Sequence, residues 1–213
     1  MSALEPDYDS DPGRRQAWVA PRDVHSVVGP ELHGQVLDIG CGEGRLVEQL
    51  RPGIAWVGVD SSRKQTERCP WRPLVLGDMR HLPFAADSFA EVAHLWCLYH
   101  LDDPVAAVRE AWRVLQTEGR YYACTSARNS DPEIVSEGYR ATSFDAEDAV
   151  EIVASVFPNA RPEPWDQRFF ALQTKDEARA YCRHNFIDEH RAEAVEVPLW
   201  LTKRGVLVRA MKE

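Results

Sequence analysis

Apolar runs rich in Val, Leu and Ile alternate with amphipathic helical patterns through the middle of this chain. Strands that alternate with helices form a parallel sheet covered on both faces, so the chain is predicted to adopt an α/β fold. Ligands of such sheets bind beside the carboxyl ends of the strands, so the loops that follow the strands are the candidate ligand site. The predicted strands are residues 35–40, 54–60, 72–78, 90–96, 120–126, 167–173 and 205–211.

Helix boundaries are predicted from capping residues and from the helix breakers Gly and Pro. The first helix, residues 45–50, precedes the breaker pair Pro52 and Gly53. The second begins after Asp103, whose side chain can cap it, and ends at Gly119. Further helical patterns are residues 14–30, residues 149–156 and the segment after the capping pair Thr174 and Glu177.

The sequence is acidic, and most of the excess lies in its last third. At 213 residues the chain suits one α/β domain, with a formal net charge of −9. Residues 131–196 hold 15 acidic and 7 basic side chains, a poor match for phosphate backbones, so nucleic acid is disfavoured as a substrate.

Five scattered cysteines without a C-x-x-C pair predict free thiols in the cytoplasm and no metal site. Neither a membrane span nor a secretory signal is recognised.

The loop after the first predicted strand carries three alternate glycines. Residues 38–44 read DIGCGEG, and Arg45 follows. A dinucleotide-binding loop would place its third glycine where Arg45 stands. Asp38 and Glu43 also disfavour a pyrophosphate, because like charges repel. The loop therefore favours a ligand with an ammonium or sulfonium group, such as S-adenosylmethionine.

Three sequence blocks occur in a recognisable order and spacing. They are VLDIGCGEGRL at 36–46, VGVDSS at 57–62, and the segment from GDMRHLPF to LQTEGR at 77–120. The set resembles class I S-adenosylmethionine-dependent methyltransferases of the small-molecule, type 11-like group, most strongly over residues 35–126. The resemblance implies a Rossmann-like, seven-stranded, mostly parallel sheet with helices on both faces and an antiparallel last strand.

The resemblance also implies which residues hold the cofactor. In the family, the glycine loop holds the methionine end, the acid that ends the second strand holds the ribose, and the acid after the third strand faces the adenine. A carboxylate placed as Asp60 is can accept hydrogen bonds from both ribose hydroxyls. His100 is the candidate general base for an acceptor that must lose a proton. The implied cofactor residues are Asp38, Gly40, Cys41, Gly42, Gly44, Asp60, Ser61, Asp78, Met79, Leu95 and Trp96.

Plainer interpretations compete for four of these residues. Cys41 is also explained as a small loop residue, since nothing nearby would activate a thiol. Asp78 follows Gly77 and is also typical of a turn. Trp96 is also explained by core packing, and His100 by a contact with the neighbouring helix.

The chain departs from the family pattern at three places. Ala90 stands where the family usually has Asp, and residues 116–119 read QTEG in place of a Lys-Pro-Gly-Gly turn. Both positions are mainly structural in the family. The Asn/Asp-Pro-Pro-Tyr signature of enzymes that methylate amino groups of nucleic acids is absent after the fourth strand, which agrees with the charge argument.

We therefore predict transfer of a methyl group from S-adenosylmethionine to a small-molecule acceptor by in-line displacement, with S-adenosylhomocysteine as product. Residues 1–30 are predicted to form an N-terminal lid or helical segment, and residues 31–213 a single methyltransferase domain. Within it, residues 31–126 would form the cofactor-binding half and residues 127–213 the substrate-side half. The lid and residues 127–145 would roof the acceptor.

Several choices stay open at this point. A cofactor-binding scaffold without turnover, an NAD-dependent oxidoreductase and an aminopropyl transferase are the alternative functions. An aromatic acceptor pocket is a further hypothesis. The acceptor, the methylated atom and the oligomeric state are not predicted. The candidate lid, core or acceptor residues are Tyr8, Arg14, Trp18, Tyr99, Trp165 and Trp200.

Overall fold

The computed structural model describes residues 23–135, 142–185 and 187–213. The predicted contacts of Tyr8, Arg14 and Trp18 lie outside the described residues, as do most of the predicted lid and part of the predicted roof. No helix within the described ranges has both the length and the apolar character needed to cross a membrane.

A single sheet forms the centre of the fold. Its strands are β1 (Gln35–Ile39), β2 (Ala55–Asp60), β3 (Leu74–Leu76), β4 (Phe89–Leu95), β5 (Leu115–Ser126), β6 (Arg161–Leu172) and β7 (Leu199–Met211). They lie in the order β3-β2-β1-β4-β5-β7-β6, and every neighbouring pair is parallel except the two that include β7. This confirms the predicted seven-stranded, mostly parallel sheet with an antiparallel last strand.

Helices cover both faces of the sheet, as predicted. The described helices are α1 (Val24–Val28), α2 (Arg63–Arg68), α3 (Pro104–Val114), α4 (Ala146–Ala154), α5 (Lys175–His184) and α6 (His190–Ala194). On one face, Val108 of α3 and Val153 of α4 join an apolar cluster with Ile39. On the other face, Val28 of α1 packs in a second cluster with Val36. The alternation of side chains along the strands supplies both clusters.

Helix α3 begins where the sequence predicts and ends earlier. Asp103 caps it by accepting a backbone hydrogen bond of 3.0 Å. The predicted end at Gly119 is wrong, because Leu115 is already extended and pairs with Phe89 of β4. Pairing with a distant strand therefore overrides the local helical pattern.

The helix predicted over residues 45–50 is also wrong. The structure has a single 3-10 turn there, Val47–Gln49. Pro52 disfavours a helical conformation at Arg51, and Gly53 turns with φ of 87°. The segment between the glycine loop and this breaker is too short for a stable α-helix. Helices α2 and α6 were not predicted.

The outer half of the β6–β7 pair projects past the rest of the sheet. Ser126, the last residue of β5, pairs with Gly205, and β7 residues 199–204 continue beyond it against β6 residues 166–172. Because β7 is antiparallel, this projection rises above the carboxyl ends of the parallel strands. We call residues 166–204, with α5 and α6, the β6–β7 arm. Together with Ile134 from the segment after β5, the arm forms a third apolar cluster, whose other members are Leu172, Ala178, Tyr181, Cys182, Ala192 and Leu201.

Candidate functional site

The loop that follows β1 lies against the end of β2. The backbone N–H groups of Gly40 and Cys41 both donate to the Val59 carbonyl, at 2.8 and 3.1 Å. Gly40 has φ of +69°, and a Cβ there would overlap the side chain of Cys97, with Sγ at 2.8 Å. Backbone conformation and close packing therefore both require glycine at this position.

Asp60, at the carboxyl end of β2, holds the loop in place. Its Oδ2 accepts the Gly42 N–H at 2.8 Å, and its Oδ1 accepts the Ser62 N–H at 2.8 Å. Each carboxylate oxygen keeps a further acceptor direction for a ligand. Among the residues that the structure describes, a Cβ at Gly42 would meet only Gln65 Oε1, at 3.8 Å, so this position is not closely packed. Ser61, the next residue, is exposed.

Asp38 lies inside β1, directly before this loop. Its side chain is buried, with 3% exposure, and accepts a hydrogen bond of 3.3 Å from Trp56 Nε1. Burial raises the pKa of Asp38 to about 7, and the negative charge of Asp60 adds to the rise against the lowering effect of Trp56. A cationic group placed beside Asp38 would favour its ionised form.

Cys41 and Gly44 complete the loop. Burial raises the pKa of the Cys41 thiol well above its ordinary value, and the nearby Asp38 and Asp60 carboxylates raise it further. The thiol is therefore protonated at neutral pH, which supports the plainer interpretation of Cys41 as a small loop residue. The Gly44 N–H donates to the Cys41 carbonyl at 2.9 Å and closes the turn.

Asp78 and Met79 follow β3 at the same edge of the sheet. The Arg80 guanidinium donates hydrogen bonds to both oxygens of the Asp78 carboxylate, from Nη2 to Oδ2 at 2.6 Å and from Nε to Oδ1 at 3.0 Å. The Arg80 backbone N–H also donates to Oδ1, at 2.8 Å. These contacts hold the pKa of Asp78 below its ordinary value and give the residue a turn-forming role. Met79 is half-buried against the first apolar cluster.

Leu95 and Trp96 end β4 beside the glycine loop. Leu95 is buried in the second apolar cluster, and Trp96 is half-buried against it. Trp96 has φ of 64°, a rare conformation for a bulky residue. His100 lies four residues further on and is exposed, with its ring centroid 4.5 Å from that of Tyr99.

A charged group on α1 also reaches the loop, and the sequence interpretation missed it. Asp23 caps α1 by accepting the Ser26 N–H at 3.0 Å and forms an ion pair with Arg45 of the loop. The Nδ1 atom of the buried His25 lies 3.6 Å from Asp23 Oδ1. Burial raises the pKa of the Cys124 thiol on β5, and the Asp23 carboxylate raises it further. The cap could have been predicted, because an Asp directly before an apolar helical pattern indicates a helix start. The ion pair with Arg45 could not, because it joins segments that are distant in sequence.

Comparison with known proteins bears on this arrangement. Residues 37–123, less than half of the chain, match the family model described as Methyltransferase domain, and the match runs from within β1 to within β5 and includes the glycine loop. This segment is therefore similar to methyltransferase domains. The resemblance inferred from the three sequence blocks is confirmed.

Two curated relatives of the chain show how far the sequence similarity extends. The demethylmenaquinone methyltransferase of Streptomyces griseus is 29% identical over 117 residues, which are 53% of this chain and 50% of that protein. The ubiquinone/menaquinone biosynthesis C-methyltransferase UbiE of Desulfotalea psychrophila is 32% identical over 117 residues, 51% of this chain and 47% of that protein. The chain spans about half the length of these relatives.

Two solved structures share the fold of this chain. The YcgJ protein of Bacillus subtilis has a TM-score of 0.61 at 18% identity, covering 85% of this chain and 92% of that one. The cyclase SpnF has a TM-score of 0.62 at 17% identity, covering 88% and 79%. Because one of the two is named a cyclase, the fold alone does not fix the reaction.

Proposed function

We propose that this chain transfers a methyl group from S-adenosylmethionine to a small-molecule acceptor and releases S-adenosylhomocysteine. The observation that carries the proposal is the pair of acids, Asp38 and Asp60, at the glycine loop, where Asp60 accepts the Gly42 N–H. The raised pKa of Asp38 suits a neighbouring cation, and Asp60 keeps acceptor directions for hydroxyl groups. S-adenosylmethionine carries cationic groups and ribose hydroxyls, so the donor set fits it.

The first part of the proposed site is the glycine loop and the end of β2. Asp38 and residues 40–44 would hold the methionine end, where the loop backbone allows close approach. Asp60 would accept hydrogen bonds from the ribose hydroxyls, with the exposed Ser61 next to it.

The second part would enclose the rest of the cofactor. Asp78 and Met79 would contact the adenine, with the Asp78 carboxylate shared between the base and Arg80. Leu95 and Trp96 would lie beside the methyl group, because they end β4 directly next to the loop.

The chemistry asked of the protein is modest. When bound, S-adenosylmethionine supplies a methyl group on a sulfonium that an acceptor can take by in-line displacement. The chain's own residues bind and orient the reactants, and such positioning is a large source of rate enhancement. His100, exposed at the opening, would take a proton from an acceptor oxygen or nitrogen if the acceptor must lose one.

The main rivals predict different ligands or different turnover. An NAD-dependent oxidoreductase would bind a pyrophosphate at the loop. The negative charges of Glu43 and of an ionised Asp38 would repel this group. A scaffold protein would bind the donor without turnover. An aminopropyl transferase would use a decarboxylated relative of the same donor.

Calorimetric titration with S-adenosylhomocysteine tests the proposal. Asp60→Asn removes the charge from two hydrogen bonds while keeping an acceptor oxygen, and it should weaken binding about 10- to 100-fold. Asp176→Asn, at a side chain with 90% exposure on α5, is the matched control and should bind as the wild type does.

Two further measurements separate the rivals. Tighter binding of NADH than of S-adenosylhomocysteine would contradict the proposal. Transfer of radiolabelled methyl groups into small-molecule extracts is expected, and donor binding without any transfer would favour the scaffold.

A further inference from the structure

Two tryptophans lie at the carboxyl edge of the sheet, over the half formed by β4, β5, β7 and β6. Trp96 follows β4, and Trp165 lies on β6. Their ring centroids are 5.9 Å apart, with an angle of 70° between the planes. Strands β5 and β7 separate β4 from β6, so this contact spans two strands. One indole must therefore lie across the sheet to reach the other.

Gly205 on β7 makes this reach feasible. It pairs with Trp165 on one side and with Ser126 on the other. A Cβ at position 205 would overlap the Trp165 indole, with Cε2 at 2.8 Å, and would also overlap the Thr125 carbonyl. The indole thus lies directly on the bare backbone of Gly205 and extends towards β4.

Trp96 connects this aromatic pair to the glycine loop. The next residue, Cys97, donates its thiol to the Ile39 carbonyl at 3.2 Å and fills the space that a side chain at Gly40 would need. The strained backbone of Trp96, at φ of 64°, persists only where its surroundings fix it, and such residues cluster at ligand sites. The pair therefore extends from the proposed methyl group to the edge of the sheet.

We propose that Trp96 and Trp165 form the binding surface for the acceptor and that the acceptor is a planar aromatic molecule; this rests on the proposed methyl transfer. Both rings are half-buried, so each keeps an accessible surface. Rings set at 70° form a corner in which a planar ligand stacks on one indole while its edge meets the other.

Titration calorimetry of the full chain, saturated with S-adenosylhomocysteine, compares three probes. We expect 2-naphthol to bind and its saturated counterpart decahydro-2-naphthol to bind about tenfold more weakly, because only the former stacks. Equal affinity for the two would overturn the proposal. So would tighter binding of tetramethylammonium, which would identify the corner as a cation site.

Variants then assign the binding to the corner. Trp165→Leu should weaken 2-naphthol binding about tenfold, and Trp165→Phe should retain most of it. Trp112→Leu is the matched control, because Trp112 is 40% exposed on α3, on the face of the sheet opposite the corner. Loss of affinity in Trp112→Leu as well, or full affinity in Trp165→Leu, would refute the assignment.

S-adenosylhomocysteine affinity, measured on the same samples, keeps the two proposals distinct. Unchanged affinity in Trp165→Leu shows that the variant is folded. Failure of the wild type to bind S-adenosylhomocysteine would contradict the methyltransferase proposal. Normal binding of S-adenosylhomocysteine without binding of 2-naphthol would contradict only the aromatic acceptor.

Discussion

Replacement of Asp38 by Asn should make the apo protein more stable at alkaline pH. Burial, with the nearby charge of Asp60, raises the pKa of Asp38 from the ordinary 3.8 to about 7. The folded state therefore favours the protonated acid. Its contribution to stability is fully present below pH 3.8 and is lost as the pH rises through about 7. Asn stays neutral at every pH and can still accept the hydrogen bond from Trp56.

The size of the effect follows from the difference in pKa. Each unit corresponds to about 1.4 kcal/mol, so the buried acid destabilises the fold by about 1.5 kcal/mol at pH 5 and about 4 kcal/mol at pH 8. The gain in the free energy of unfolding from Asp38→Asn should therefore grow by about 2.5 kcal/mol between these pH values.

Urea unfolding, followed by tryptophan fluorescence at several pH values between 5 and 8, measures this gain. Asp176→Asn, at the highly exposed position on α5, controls for the loss of one negative charge. The reasoning is refuted if the stability difference between Asp38→Asn and the wild type does not change with pH. S-adenosylhomocysteine should bind more weakly to Asp38→Asn, which separates the effect on stability from the effect on the proposed site.

Two further substitutions test buried polar groups outside the glycine loop. Tyr121→Phe removes the hydroxyl 2.8 Å from His94 Nδ1, and Nε2 of that buried ring has no hydrogen-bond partner among the described residues, so the free energy of unfolding should fall by about 1–3 kcal/mol in urea titration. Lys203→Met, in the β6–β7 arm, removes the ammonium 2.7 Å from the buried Asp131 carboxylate and should lower the free energy of unfolding by about 3–5 kcal/mol in the same assay. Unchanged stability in either variant would mean that water or a relaxed side chain replaces the lost partner.

The sequence predicted the elements whose signals are local. Part of each of the seven strands was predicted, because each apolar run is bounded by turn residues, and Asp103 was identified as the cap of α3. The predicted starts of β6 and β7 are wrong, because both strands begin earlier in the chain, at Arg161 and Leu199. The errors at residues 45–50 and at Gly119 have one cause. In both places a short helical pattern competes with a constraint from elsewhere, namely a following Pro-Gly breaker or pairing with β4.

In the candidate site, too, the sequence identified residues with local signals and missed contacts that depend on the fold. The glycine loop and Asp60 were identified from their position at strand ends, and the structure brings them into direct contact. The Trp96–Trp165 contact could not be predicted, because it depends on the strand order and on the missing side chain at Gly205. The raised pKa of Asp38 also depends on burial that no local pattern reports.

The β6–β7 arm has an apolar core of its own. Its cluster shares no residue with the two clusters that cover the sheet. The family match, residues 37–123, stops before this arm. A substitution inside the cluster of the arm is therefore expected to change packing in the arm while the helices that cover the two faces of the sheet keep their packing.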